Sequence, residues 1–84
     1  MNATKMSQCK RIVAYILQFG SITTLEAVRD LGILRLASRI YDLVKAGVHV
    51  VKETVPVGNR YDEIVYVTRY TIEGDIPEAY RPEV

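Results

Sequence analysis

Apolar residues recur three and four apart through the first half of the chain and give way to β-branched and aromatic runs in the second. Cys9, Ile12, Val13, Ile16 and Leu17 share one helical face. Ser7 can cap the start of that helix and Gly20 can end it in the left-handed conformation, so Lys10, Arg11 and Gln18 are expected to face water. Ser21-Ile22-Thr23 is a brief extended link. The next four positions, Thr23-Thr24-Leu25-Glu26, form a capping-box sequence in which the Thr23 hydroxyl and the Glu26 carboxylate each satisfy an orphan backbone donor. The helix opened there carries an apolar stripe of Leu25, Val28 and Leu31, with Ala27 alongside. Gly32 ends it and Ile33 plugs the corner that follows.

A third helix is expected over residues 34–46, closed by Gly47 as another left-handed cap. Leu36, Ala37, Ile40, Leu43 and Val44 would face inward. Arg35, Ser38, Arg39, Asp42 and Lys45 would face outward, with Tyr41 at the border. Residues 48–55 and 64–72 then read as two strands, and the Pro56-Val57-Gly58-Asn59-Arg60-Tyr61-Asp62 stretch between them has turn chemistry, giving a hairpin with a loop of about eight residues. Its alternation is imperfect, because Val65 and Val67 define one face while Ile64, Tyr66, Tyr70 and Ile72 define the other. Either a bulge near Thr68-Arg69 switches faces or the outer face meets a partner. The expected domain covers residues 7–72. Residues 1–6, without periodicity, are a frayed start, and residues 73–84, with Pro77 and Pro82, are an acidic tail that Ile76 or Tyr80 could pin.

Composition narrows the function classes. Eighty-four residues make one domain, and a chain of that size buries only about 60% of its unfolded surface, which leaves little room for a catalytic cavity. At 49% hydrophobic and 25% charged, the balance is that of a soluble globular domain. No run approaches the roughly 18 apolar residues of a membrane span, and MNATKMSQCK lacks the apolar centre of a signal peptide, so a cytoplasmic protein off the membrane is expected. Cys9 has no second cysteine to pair with, and together with His49 it cannot supply four zinc ligands. Cys9 reads as a small buried hydrophobe, with a reactive thiol as the alternative. No cofactor, metal or enzymatic constellation is expected: the chain has no second histidine, nucleophile elbow or glycine-rich phosphate loop. The formal charge of +1 hides an asymmetry, since residues 73–84 carry four acids against Arg81 and leave a net +4 on residues 1–72.

Two short helices around a Leu31-Gly32-Ile33 corner, a helix before them and a hairpin after them are the parts of an α+β winged helix-turn-helix: three helices, then a two-stranded antiparallel wing. The run GSITTLEAVRDLGILRLASRIYDLVKAGVHVV, with NRYDE in the wing and VYVTRYTI after it, resembles the small winged helix-turn-helix domain proteins common in bacteriophages and prophages. The resemblance covers roughly residues 8–72. It rests most specifically on the Gly32 corner, the segment from Arg35 to Ile40 with Asp42-Leu43, and Asn59-Arg60. It implies the winged-helix fold and a DNA-binding or regulatory role in phage biology.

In that arrangement the third helix enters the major groove of double-stranded DNA and the wing reaches neighbouring backbone. Arg35 and Arg39, a turn apart, could each bind guanine, Ser38 a base or phosphate, and Arg60 a phosphate from the wing. Thr23 and Thr24 could meet another phosphate, and Lys45, Lys10 and Lys52 the backbone. Each has a plainer reading. Arg39 can pair with Asp42, Ser38 can serve close packing, Arg60 can be an ordinary loop charge, and Thr23 with Glu26 is chiefly a cap. The competing function is a module that docks on a host protein, for which the near-neutral charge and apolar strand face are suited. A homodimer is a further possibility, because helix-turn-helix proteins often read paired half-sites.

Overall fold

In the computed structural model, which describes residues 5–81, the first apolar stripe forms α1, Lys5–Phe19. Residues 1–4 and 82–84, which hold part of the expected frayed start and tail, lie outside the described residues. The helix already runs through Ser7, so Ser7 is not its cap. Cys9, Ile12, Val13 and Ile16 are buried as the spacing requires, but Leu17 is exposed and Tyr15 takes its place in the core. The reason is angular: at about 100° per residue, Leu17 stands roughly 140° from Ile12 around the helix, while Tyr15 stands only about 60° away. Gly20 has φ 92° and its N–H bonds the Ile16 carbonyl at 2.7 Å, ending α1 as expected.

Ile22–Thr23 is more than a link. It forms a short strand, β1, that pairs antiparallel with the last strand, Ile22 opposite Tyr70 and Thr23 opposite Arg69. The sheet therefore has three strands in the order β1-β3-β2, where β2 is His49–Gly58 and β3 is Ile64–Glu73. Thr23 caps the helix that follows: Thr23 N–H donates to Glu26 Oε1 at 2.9 Å and Glu26 N–H donates to Thr23 Oγ1 at 3.3 Å. That helix, α2, runs α-helically over Thr24–Glu26 and then widens into a π-helical turn over Ala27–Leu31. At its end the Gly32 N–H bonds the Val28 carbonyl at 3.2 Å and the Ile33 N–H bonds the Ala27 carbonyl at 3.0 Å, with Gly32 at φ 68°.

The wider turn changes which residues face the core. Ala27 is fully buried and Leu31 packs against the core, but Leu25 is 69% and Val28 39% exposed, against the expected stripe. For Val28, inside the turn, i→i+5 bonding gives a longer angular repeat than the 3.6 residues on which that stripe was drawn; Leu25 lies ahead of it in the α-helical first turn, about 200° around the helix from the buried Ala27. Ile33 fills the corner, 1% exposed, as its position after Gly32 predicts.

The third helix, α3, spans Leu36–Lys45. Gly47 closes it at φ 102°, with Gly47 N–H on the Val44 carbonyl (3.1 Å) and Val48 N–H on the Leu43 carbonyl (3.0 Å). This is the Schellman pattern, whose usual apolar contact is present as two buried side chains, Leu43 and Val48. Two apolar stripes compete on this helix, Leu36-Ile40-Leu43 and Ala37-Tyr41-Val44, one residue out of phase. The first wins the core because it buries three large aliphatic side chains; Ala37 is exposed and Val44 is 49% exposed, correcting their expected inward placement.

The hairpin ladder is continuous from His49 opposite Glu73 to Gly58 opposite Ile64. No bulge interrupts it, and the loop is shorter than expected because the strands run on through Pro56 and Val57. Pro56 is tolerated because β2 is an edge strand. Val50, Tyr70 and Ile72 pack on the core from the base of the hairpin. On the same face further out, Ile64 and Tyr66 are 66% and 69% exposed, because the wing overhangs the core rather than switching faces. The segment after Glu73 folds back. Ile76 is buried with the core, Tyr80 packs against it from a 3-10 turn over Glu78–Tyr80, and the Arg81 guanidinium donates to the Ile76 carbonyl at 2.8 Å. Residues 74–81 are thus a strap across α1, and the pinning expected of Ile76 and Tyr80 involves both.

Candidate nucleic-acid interface

The outer face of α3 is set by the core stripe behind it. With Leu36, Ile40 and Leu43 turned inward, Ser38, Tyr41 and Lys45 project away from the body of the domain and are exposed. Arg35 sits just before the first turn, at φ −118° and ψ 57°, and is exposed. Ten residues separate it from Lys45, a span of about 15 Å at 1.5 Å per residue. Neither cation forms an ion pair among the described residues. The Lys45 ammonium lies 5.3 Å from the centre of the Tyr41 ring, a cation–π contact that holds both side chains along the helix surface.

Arg39 is placed differently from its expected outward position. Its side chain is only 14% exposed, and Nε stands 3.1 Å from Asp42 Oδ2, with neither atom exposed or in well-directed hydrogen-bond geometry. The backbone of the same residue receives the Cys9 thiol at 3.8 Å, so this side of α3 lies against α1. Burial, with the Asp42 carboxylate adding to it, pushes the Cys9 thiol above its ordinary pKa, which keeps it a neutral core group. Arg35 and Arg39 therefore do not share one exposed face. The i, i+3 spacing of Arg39 and Asp42 carried the signal, since opposite charges at that spacing can meet.

Thr23 is half-buried and both its amide and hydroxyl are engaged with Glu26, whose carboxylate occupies the position an anion would take. Thr24 beside it is exposed. At the wing tip, Asn59 shapes the turn. Its Oδ1 accepts from the N–H groups of Tyr61 (2.9 Å) and Glu63 (3.0 Å), its own N–H bonds the Glu63 carbonyl at 2.9 Å, and Asp62 adopts φ 61°. Arg60 is carried exposed on this braced turn, free of ion pairs among the described residues, as is Lys52 on β2. Lys10 is half-buried on α1.

Two residues that sequence reasoning did not place on the outer face, one at the border and one inward, become central. Tyr41, assigned to the border, is 63% exposed in the middle of the outer face, and Val44 is beside Lys45. Their signal was the second stripe, Ala37-Tyr41-Val44, at the same helical spacing as the core stripe. Behind α2, a further cluster locks the helices together. The Tyr15 hydroxyl donates to Asp30 Oδ2 at 2.6 Å, and Arg29 donates to the two Asp30 oxygens at 2.9 and 3.1 Å. The Arg29 hydrogen bonds, with that of Tyr15, hold the Asp30 carboxyl at about 2, and the bond to Asp30 raises the Tyr15 hydroxyl above its ordinary value.

Among the described residues no group of three or more potential ligands is placed to hold a metal, and no helix is long and apolar enough to cross a membrane. Comparison with curated proteins and with solved structures found no match. The model of the family described as the winged helix-turn-helix domain matches residues 7–73. With the helix-corner-helix unit, the three-stranded sheet and the projecting hairpin all lying inside that span, the chain belongs to the winged helix-turn-helix domain family.

Proposed function

We propose that the protein binds double-stranded DNA as a transcriptional regulator of phage or prophage type, with the outer face of α3 in the major groove and the wing tip on adjacent backbone. The observation that carries this reading is the row of exposed groups on α3, in which Arg35 and Lys45 bracket Ser38 and Tyr41 and neither cation is neutralised by a carboxylate. Arg35 supplies a bidentate guanine contact, and Ser38 and Tyr41 supply hydroxyls to bases or phosphates. Ala37 and Val44 offer methyl groups to thymine. Arg60 and Lys52 serve the backbone from the wing, with Thr24 in a lesser role. Arg39 and Thr23 act as structural groups in this scheme.

The test is duplex binding by fluorescence anisotropy across a salt series. Each neutralised phosphate contributes about −0.9 to the slope of log affinity on log salt, so Lys45→Ala, on the backbone, should flatten that slope by about 0.9, while Arg35→Ala, on a base, should weaken binding to the recognised site with little change in slope. The melting temperature should not move. Absence of duplex binding at the lowest salt overturns the reading. A second reading, docking on a host protein, is favoured by one specific observation: Leu34 just before α3, and Tyr41 and Val44 on it, are 77%, 63% and 49% exposed.

A further inference from the structure

The two faces of the wing differ in chemistry. Successive strand residues point to opposite sides, and the ladder sets Lys52 opposite Tyr70, Thr54 opposite Thr68 and Pro56 opposite Tyr66 on one face. The intervening rungs put Glu53 opposite Arg69, Val55 opposite Val67 and Val57 opposite Val65 on the other. That second face is aliphatic, and its charges are closed on each other, Arg69 donating to Glu53. It is also partly covered. A cleft of about 450 Å³ lies between Leu25 of α2 and Val55, Val57 and Val67, and Val55 and Val67 are half-buried. Thr68 borders the cleft too, from the edge of β3 beyond β1, but alternation turns its side chain to the first face.

The first face is open. Lys52, Thr54, Tyr66 and Thr68 are all exposed, and Lys52 forms no ion pair among the described residues. No carboxylate stands on this face anywhere along the ladder: Glu53 and Glu73 belong to the other face, and Asp62 and Glu63 to the turn.

We propose that this face of the wing, and not its tip alone, lies along one phosphate strand of the duplex, with Lys52, Thr54, Thr68 and Tyr66 as its backbone contacts. The inference rests on the DNA reading and deepens it by naming the wing surface that meets the duplex. At the base of the hairpin the same face packs on the core through Val50, Tyr70 and Ile72, together with Leu36, Ile40 and Leu43 of α3. The outboard part is therefore turned to the side of the sheet on which α3 lies. Lysine, threonine and tyrosine are among the side chains that bond phosphate oxygens without reading sequence. Opposed residues such as Thr54 and Thr68 have Cβ atoms about 4.5–5.5 Å apart. Lys52 and Tyr66 each stand one two-residue step away, about 6.7 Å along the wing, a repeat close to that of successive phosphates in one strand. A backbone laid on the opposite face would meet valines that cannot bond it and a guanidinium already neutralised by Glu53.

Duplex binding by the full chain, followed by fluorescence anisotropy across a salt series, tests this with an acid added to either face. Thr54→Glu and Val57→Glu change the net charge equally at exposed positions of the same strand, so their long-range repulsion is closely matched. Thr54→Glu should weaken binding about tenfold more than Val57→Glu, because only there does the carboxylate stand against phosphate. Thr54→Val with Thr68→Val removes two hydroxyls and keeps β-branched side chains. It should weaken binding about tenfold with the salt slope unchanged, since no charge is lost. Melting temperatures by circular dichroism should stay close to the parent's; if Thr54→Glu melts early, the valine pair decides alone. In a protein that binds duplex, equal losses from the two acids, or full affinity in the valine pair, overturn this inference and leave the DNA reading standing. Absence of duplex binding by the parent at the lowest salt overturns both.

Discussion

Removing the Ile76 side chain tests whether the strap after β3 is part of the folding unit. Ile76 is 9% exposed and belongs to the core cluster, so Ile76→Ala withdraws almost a whole aliphatic side chain from apolar surroundings. Comparable core truncations cost about 2–5 kcal/mol. This one should fall low in that range, at about 2.5 kcal/mol, because Pro77 and Tyr80 lie at the surface and can settle into part of the space. Unfolding entropy of about 2.1 cal/mol/K per residue over 84 residues gives roughly 0.18 kcal/mol/K, so the melting temperature should fall by about 14 °C. Thermal denaturation followed by circular dichroism measures this. Glu78→Ala, on the exposed side of the same turn, is the control and should change little. Ending the chain at Glu73 should cost more than Ile76→Ala, because Tyr80 is lost as well. If Ile76→Ala melted within a few degrees of the parent, the strap would not be a structural element, and the expectation that the domain is complete at residue 72 would stand.

Two further outcomes follow from side-chain pairs. Asp30 has its folded pKa depressed from 3.8 to about 2, so its contribution to stability is full above its ordinary value and is lost as pH falls through 2; carboxyl-detected NMR should find it titrating near 2, and Asp30→Asn should remove that part of the acid dependence. Titration of Asp30 at its ordinary value would refute the Tyr15–Asp30–Arg29 lock. Arg39→Met keeps the apolar stem but leaves Asp42 without its cation, and should destabilise the domain by about 1–2 kcal/mol, less than a fully buried broken pair, because Asp42 remains 31% exposed. Arg35→Ala, in the same denaturation assay, should be neutral; a reversal of the two would place Arg39 on the outer face after all.

Most of the architecture was legible because its signals are local. The glycines at 20, 32 and 47 each stand at positive φ where a helix ends, and the Thr23–Glu26 box closes on itself within four residues. β1 was not legible: two residues carry no pattern, and Ile22–Thr23 is a strand only because β3 returns beside it. On α2 the facing of Val28 failed because a π-helical turn alters the repeat, and nothing in Ala27–Leu31 announces one, while Leu25, ahead of that turn, is exposed because the buried Ala27 stands on nearly the opposite side of the helix. On α3 the ambiguity was real, since two apolar stripes shared the helix and only the packing of α1, Ile33 and Val48 selects between them. The candidate site was legible in part. Arg35, Ser38, Lys45 and Arg60 are exposed as expected, whereas Arg39 was lost to a neighbour three residues away that the sequence displays, and Tyr41, expected at the border, and Val44, expected inward, were gained.

The junction at Gly47-Val48 has a mechanical consequence. Val48 closes α3 through the Leu43 carbonyl, sits in the core and leads directly into β2, so no slack chain intervenes between the helix and the wing. Helix and hairpin are then two jaws of a fixed gauge. Whatever surface engages both must offer its two footholds at one separation, and a surface that offers them at another can be gripped by one jaw or the other, but not by both.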